Sequence, residues 1–162
     1  MNKKSIILGL AAGVASAIFS IAFEKQLLDS NNMLLSFVPT AFYILATIYI
    51  VYDTKKQNGG YMTIKQGFVP AFIFGSISCI VSVIFSLLNI YVIKTKEQLD
   101  EMIKIMADGM IEKGTPPAQA TEIASKAFSS PLISLAGVAG GIAMSALIAV
   151  AVAAVMQKKQ NS

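Results

Sequence analysis

Four long stretches of this chain carry no charged side chain. They run from Ile6 to Phe23, Met33 to Tyr52, Gly67 to Ile93 and Pro131 to Met156, and measure 18, 20, 27 and 26 residues. About 20 helical residues cross the hydrocarbon layer of a bilayer, so each stretch has the length of a span or close to it. Lipid offers no water to exposed amides, and a segment inside it must satisfy its own backbone as a helix. Composition agrees, with 55% hydrophobic residues, 14% charged residues and a mean hydropathy of +0.66, against about 25% charged in soluble domains. The expected fold is all-α: an integral membrane four-helix bundle forming a single membrane domain over residues 1–162. Its spans lie at about 6–23, 33–52, 67–93 and 131–156, with an amphipathic helical excursion over 94–130 between spans three and four.

The residues that are missing limit the chemistry. The chain has no His and one cysteine, Cys79, in the middle of the third run. That excludes an intrachain disulfide, Cys/His zinc sites and His-dependent nucleophilic catalysis. None of the four runs holds an ionisable Asp, Glu or Lys, the groups that proton-coupled carriers and pumps place at depth. The net charge of +4 arises from thirteen lysines and no arginine. Those lysines sit at the ends of the runs without interleaved aromatics, so nucleic acid is not an expected partner. The expectation is a protein that is not an enzyme and needs no cofactor or metal, with the lipid bilayer as its first partner.

Within the runs, small residues recur at helical spacing. Gly9 and Gly13 form a GxxxG pair extended by Ala17, and Gly137, Gly141, Ser145, Ala149 and Ala153 form a longer ridge. Such ridges let helix backbones approach closely. Gly9, Gly13, Gly137, Gly141 and Ser145 are therefore candidate helix-packing residues, within one chain or across a homodimer. The third run carries a polar stripe, Ser78, Ser82, Ser86 and Asn89, on the same face as Gly75 and Cys79. A face of this kind belongs inside a bundle, where it makes interhelical hydrogen bonds or lines a path for a small solute.

The connections carry their own signals. The basic start leads into an apolar run that continues past Ala15-Ser16-Ala17, which favours a retained span over a cleaved signal. A short link over 24–32 predicts a hairpin of spans one and two. Pro39 and Pro70 predict bends, Pro70 by pushing Val69 away from helical geometry. Tyr49 and Tyr52 fit the water interface. Asn58-Gly59-Gly60 is turn material, and Thr63 with Gln66 has capping-box spacing ahead of a helix starting near Ile64. A Gly-rich turn before a helix also suits a phosphate, but the GxxxxGK[ST] spacing is lacking.

Beyond the third run, Thr95 and Gln98 repeat the capping box. Leu99, Met102, Ile103, Met106 and Met110 then share one face of an amphipathic helix that ends near Gly114. Thr115-Pro116-Pro117 predicts a second helix start, with Ala120, Ile123, Ala124, Ala127 and Phe128 on its apolar side. Ser130-Pro131 predicts the start of the last span. The two helices of the excursion are expected outside the hydrocarbon, folded over the bundle mouth, lying on the membrane surface or engaging a partner. The amino terminus, the central link and the tail carry 2, 3 and 2 lysines near the spans, and the first link carries one with two acids. The positive-inside rule then places both termini in the cytoplasm.

The start Met1-Asn2-Lys3-Lys4 before Leu8-Gly9-Leu10-Ala11-Ala12-Gly13, the central Asn58 to Phe68 string and the Met-rich helical segment before Ser130-Pro131 together resemble a family of small bacterial four-span membrane proteins. That family is catalogued only as a domain of unknown function. The resemblance implies a four-helix protein of the bacterial inner (cytoplasmic) membrane and brings no activity. The functional expectation is a structural or partner-binding membrane protein, with a passive or facilitated small-solute pathway along the stripe of the third span as the alternative.

Overall fold

The computed structural model describes residues 3–23, 33–129 and 131–158. Its helices are α1 (Lys3–Ala22), α2 (Met33–Gln57), α3 (Ile64–Leu88), α4 (Lys96–Glu112), α5 (Pro117–Ser129) and α6 (Pro131–Met156), and a π-helical turn over Asn89–Ile93 extends α3. Four segments are long and apolar enough to cross a membrane: Lys3–Ala22, Phe37–Gln57, Ile64–Ile93 and Ala136–Met156. The chain is a multi-pass membrane protein with an all-α bundle.

Helix α3 is the axis of that bundle. It packs along its length against α1 on one side and α6 on another, while α2 lies against α3 and, more lightly, α6. Helices α1 and α2 barely touch, so the expected hairpin of the first two spans is held together through α3. Glycine explains the choice of partner. A Cβ built on Gly9 would lie 2.8 Å from the Phe74 carbonyl oxygen, and one on Gly13 would lie 2.7 Å from Val81 Cβ and 2.9 Å from the Ser78 carbonyl. Opposite, a Cβ on Gly141 would strike the Cys79 sulfur, and one on Gly75 would strike the Tyr43 hydroxyl and come 2.8 Å from Ser145 Cβ. Backbones this close gain dispersion contact that lipid cannot supply. Gly137 departs from the ridge: among the described residues no atom of another element lies within 4 Å of its Cβ position.

Local chemistry sets the helix ends. Helix α2 runs past Tyr52 to Gln57, five residues beyond the expected span. Lys55 and Lys56 in its last turn complement the helix dipole, and Gln57 Nε2 donates to Asp53 at 2.7 Å. It closes with two bonds, Gly60 N–H to the Lys55 carbonyl at 2.9 Å and Gly59 N–H to the Lys56 carbonyl at 3.2 Å. This is a Schellman cap, and it places Gly59 at φ +69°, a value glycine reaches without strain. Thr63 then caps α3, with its side chain accepting from the Gln66 amide and the Gln66 side chain accepting from the Thr63 amide.

Neither proline interrupts its helix. Helices α2 and α3 continue through Pro39 and Pro70, and Val69 remains helical, against expectation. The buried Pro70 sits two turns into α3 between Gly67 and Ala71, inside a packed interface that holds the turn in place. The Ser130 cap before α6 lies outside the described residues, as does the link over 24–32.

The end of the bundle where the lysines cluster is closed by side chains and by backbone. Lys4 Nζ lies 2.9 Å from Asp53 Oδ2 and 5.5 Å from the centre of the Tyr49 ring, which ties α1 to α2. Lys55 Nζ donates to the Met156 carbonyl at 2.9 Å, capping the open end of α6. Met62 and Lys158 exchange backbone hydrogen bonds of 2.9 and 3.0 Å, a single antiparallel bridge between the central turn and the tail. Beneath it Val51, Met62, Ala71 and Ala149 form a solvent-free core with Phe68, Phe72, Val152 and Met156 around it.

Gly13→Leu is expected to destabilise the protein by about 1–3 kcal/mol through overpacking against Val81, while Gly137→Leu leaves stability unchanged. Unfolding midpoints in detergent measure both. Removing the Lys55 ammonium as Lys55→Met is expected to cost about 1 kcal/mol, the scale of a cation at a helix C-terminus, in the same assay.

Candidate functional site

The polar stripe of α3 divides into parts with different surroundings. Ser78 is buried, and the Ser82 hydroxyl donates to the Gly13 carbonyl of α1 at 3.1 Å. Ser86 is exposed, and Asn89 is buried at the point where α3 passes into its π turn. Lys94 N–H donates to the Asn89 carbonyl at 3.0 Å, the longer loop of that turn. The stripe therefore spends one hydroxyl on α1 and leaves others along open grooves.

Three clefts follow it. One of about 330 Å³ lies between α1 and α2 over α3, lined by Ala12, Ala15, Phe19, Val38, Phe42 and Ala46 together with Ser16, Tyr43 and Ser78. A second of about 260 Å³ shares Ser16, Pro39, Tyr43 and Ser78 with the first and reaches Cys79, Ser82, Gly141 and Ser145. The third, about 230 Å³, runs between α1 and the far half of α3 past Ser82, Ser86 and Asn89. Toward the lysine-bearing end the packed core around Met62 fills the space between α2, α3 and α6.

Sequence reasoning missed Tyr43. Tyr49 and Tyr52 fit the water interface, whereas Tyr43 sits in mid-span, stacked on Phe74 at 5.4 Å between centroids, with its hydroxyl buried over Gly75. The usable signal was depth: a phenol about three turns into an apolar run has no water to bond. Cys79, expected as a small packing residue, lies against Gly141, and its thiol is 3.8 Å from the Val138 carbonyl. Gly9, Gly13, Gly141 and Ser145 all face α3, and Ser145 returns its own proton to the Gly141 carbonyl at 2.8 Å. Gly137 faces open space.

The excursion forms a self-contained hairpin. Ala107, Ala120 and Ala124 make its core, with Ile103, Met106 and Met110 packed on them. The substantial contacts of α4 are with α5, and α5 otherwise meets α6 where the chain re-enters the bundle. Helix α4 begins two residues after the π turn, on a capping box made by Thr95 and Gln98. A second Schellman cap ends it, with Gly114 at φ +93° and Thr115 N–H donating to the Met110 carbonyl at 3.0 Å. Helix α5 starts at Pro117, one residue later than Thr115 capping would give, because Pro116 supplies the first carbonyl, to Ala120 N–H at 2.9 Å. Ile111 on α4 and Ile123 on α5 remain exposed. Lys126, one turn on, holds the Glu122 carboxyl below the usual range by a side-chain hydrogen bond, a pair wholly in solvent. Among the described residues no group of His, Cys, Asp and Glu is arranged to hold a metal.

A family model covers residues 6–158, nearly the whole chain, and takes in every helix described above except the first three residues of α1. The chain belongs to the family described as Protein of unknown function (DUF4199). No curated protein and no solved structure matches it. Membership in DUF4199 therefore joins the four spans to a family without adding an activity.

Ser82→Ala is expected to cost about 0.6 kcal/mol, the average for an interhelical hydrogen bond in a membrane. Ser86→Ala, at an exposed position, is expected to leave the detergent unfolding midpoint where it was.

Proposed function

We propose that this is a non-enzymatic, partner-binding or structural protein of the bacterial inner membrane, and that the α4–α5 hairpin is the part that engages the partner. The observation that carries this reading is how the apolar surfaces are spent. Gly9, Gly13, Gly141 and Ser145 are consumed by α3 inside one chain, whereas the hairpin packs on itself and keeps Ile111 and Ile123 outward. A bundle with no further task would have no need of a folded 34-residue element, 96–129, standing beside it. A second copy of the chain is the other partner this reading admits, through the open face of α6 at Gly137 and Gly140.

The same reading places the lysine-rich end in the cytoplasm. Lys4, Lys55 and Lys158 all take part in closing one end of the bundle, and lysines near spans are retained on the cytoplasmic side. Both termini are then cytoplasmic and the hairpin is outside. The solute-pathway reading draws on the clefts along Ser78, Ser82, Ser86 and Asn89, but a path from them has to cross the solvent-free core around Met62.

Two measurements test the proposal. In a Cys79→Ala background, an impermeant thiol reagent added to intact cells is expected to label Lys113→Cys and not Asn58→Cys; the reverse pattern overturns the orientation. Photo-crosslinking side chains placed at Ile111 and Ile123 are expected to give one discrete protein adduct in native membranes, with none from Val155. Lipid adducts alone at all three positions would refute a hairpin-borne partner.

A further inference from the structure

The two ends of the bundle carry different charge balances. At the end closed by the central turn stand Lys3, Lys4, Lys55, Lys56, Lys65 and Lys158, with Asp53 the one acid there among the described residues. The segment 94–129 beyond the other end has five lysines against six acids. Part of the positive charge is spent internally, since Lys4 pairs with Asp53 and Lys55 caps α6. Lys3, Lys56 and Lys65 are exposed and make no ion pair among the described residues. Lys158 is exposed too, its ammonium 5.5 Å from the centre of the Tyr61 ring. These outward charges come from α1, α2, α3 and the tail. The Met62–Lys158 bridge draws the last of them to the turn that separates Lys56 from Lys65.

We propose that this lysine face docks the phosphates of anionic glycerophospholipids, and that their binding reinforces the closure made by the central turn and the tail. Position selects a lipid phosphate over a soluble polyanion. Each of the four outward lysines falls within two residues of the end of a membrane-crossing segment, so its ammonium stands at the depth of the headgroups. Tyr52 and Tyr61 are exposed at the same level, where tyrosines anchor. Ile64, Val69 and Val155 are exposed just below, against acyl chains. Lysine stems are long and flexible enough to carry the charge up to the headgroup layer, and each lysine at an anionic surface raises binding by roughly fivefold. The link to closure is electrostatic. Lys56, Lys65 and Lys158 belong to three segments gathered by the turn, and their like charges oppose that gathering. Phosphates between them remove the opposition, and a ligand held only by the folded chain stabilises it. This inference is independent of the hairpin reading, since none of its residues lies in α4 or α5.

The full-length protein is released from nanodiscs of equal phosphatidylcholine and phosphatidylglycerol, and the lipids it retains are counted by native mass spectrometry. Phosphatidylglycerol is expected to be retained over phosphatidylcholine by at least about fivefold, the worth of one lysine. The unfolding midpoint is expected to be higher in phosphatidylglycerol nanodiscs than in phosphatidylcholine ones, by a margin that shrinks as salt screens the charges. Lys3→Gln, Lys56→Gln and Lys65→Gln together leave the Lys4–Asp53 pair and the Lys55 cap in place. That triple variant is expected to keep the native midpoint in phosphatidylcholine and to lose most of both phosphatidylglycerol effects. Lys96→Gln, Lys104→Gln and Lys113→Gln remove the same charge from the hairpin and are expected to change neither effect. Equal retention of the two lipids by the native protein would overturn the proposal. So would an equal loss of preference in the two triple variants, which makes net charge rather than this face responsible. A midpoint raised by soluble polyphosphate in phosphatidylcholine and not by phosphatidylglycerol assigns the face to an aqueous polyanion and also overturns it.

Discussion

The close approach of α3 to its two neighbours is the contact on which the rest of the molecule depends. In a bilayer the lipid tails are as apolar as the side chains, so burying leucine against leucine gains little. What remains is contact made at short range. Gly9 and Gly13 bring the α1 backbone down onto the Phe74 and Ser78 carbonyls of α3, and Gly75 and Gly141 do the same on the α6 side. Once α3 is gripped from both flanks, α2 is left with the remaining side of α3 and a strip of α6, and the loose seam with α1 follows.

Among the described residues that seam is closed at the lysine-bearing end. Lys4 and Asp53 meet where α1 begins and α2 is about to end, and the pair is partly exposed, so its own contribution is at most about 1 kcal/mol. The stronger closure is collective. Lys55 caps α6, the Met62–Lys158 bridge ties the tail to the turn, and the Met62 side chain is sealed into the core beside Gly67. The central turn thus serves as a clamp: it gathers the ends of α2, α3 and α6 in one place. At the opposite end the π turn at Asn89 passes almost directly into α4, so the hairpin is attached by a two-residue joint.

The clefts and the hairpin express the same constraint in different solvents. Inside the bilayer α1 and α2 leave a largely apolar cleft between them over α3. Outside it, α4 and α5 need only cover one face each, and their methionines and alanines do so against one another. Ile111 and Ile123 stay exposed on the remaining faces.

The four spans, both capping boxes and the small-residue spacing were legible in the sequence because each depends on neighbours within one helix turn or on simple length. Thr63–Gln66 and Thr95–Gln98 cap as their three-residue spacing dictates, and the apolar runs carry their own backbone satisfaction. Which helix is central was not legible: GxxxG says that a face packs closely and does not say on what. The same limit hid the partner of Gly141, the open side of Gly137, the mid-span role of Tyr43 and the bridge from Met62 to Lys158. Those rest on contacts between residues far apart in the chain, such as 96 positions from Met62 to Lys158. Periodicity is a local property of one helix, and the choice among helices is made only when all of them compete for the same short-range contact.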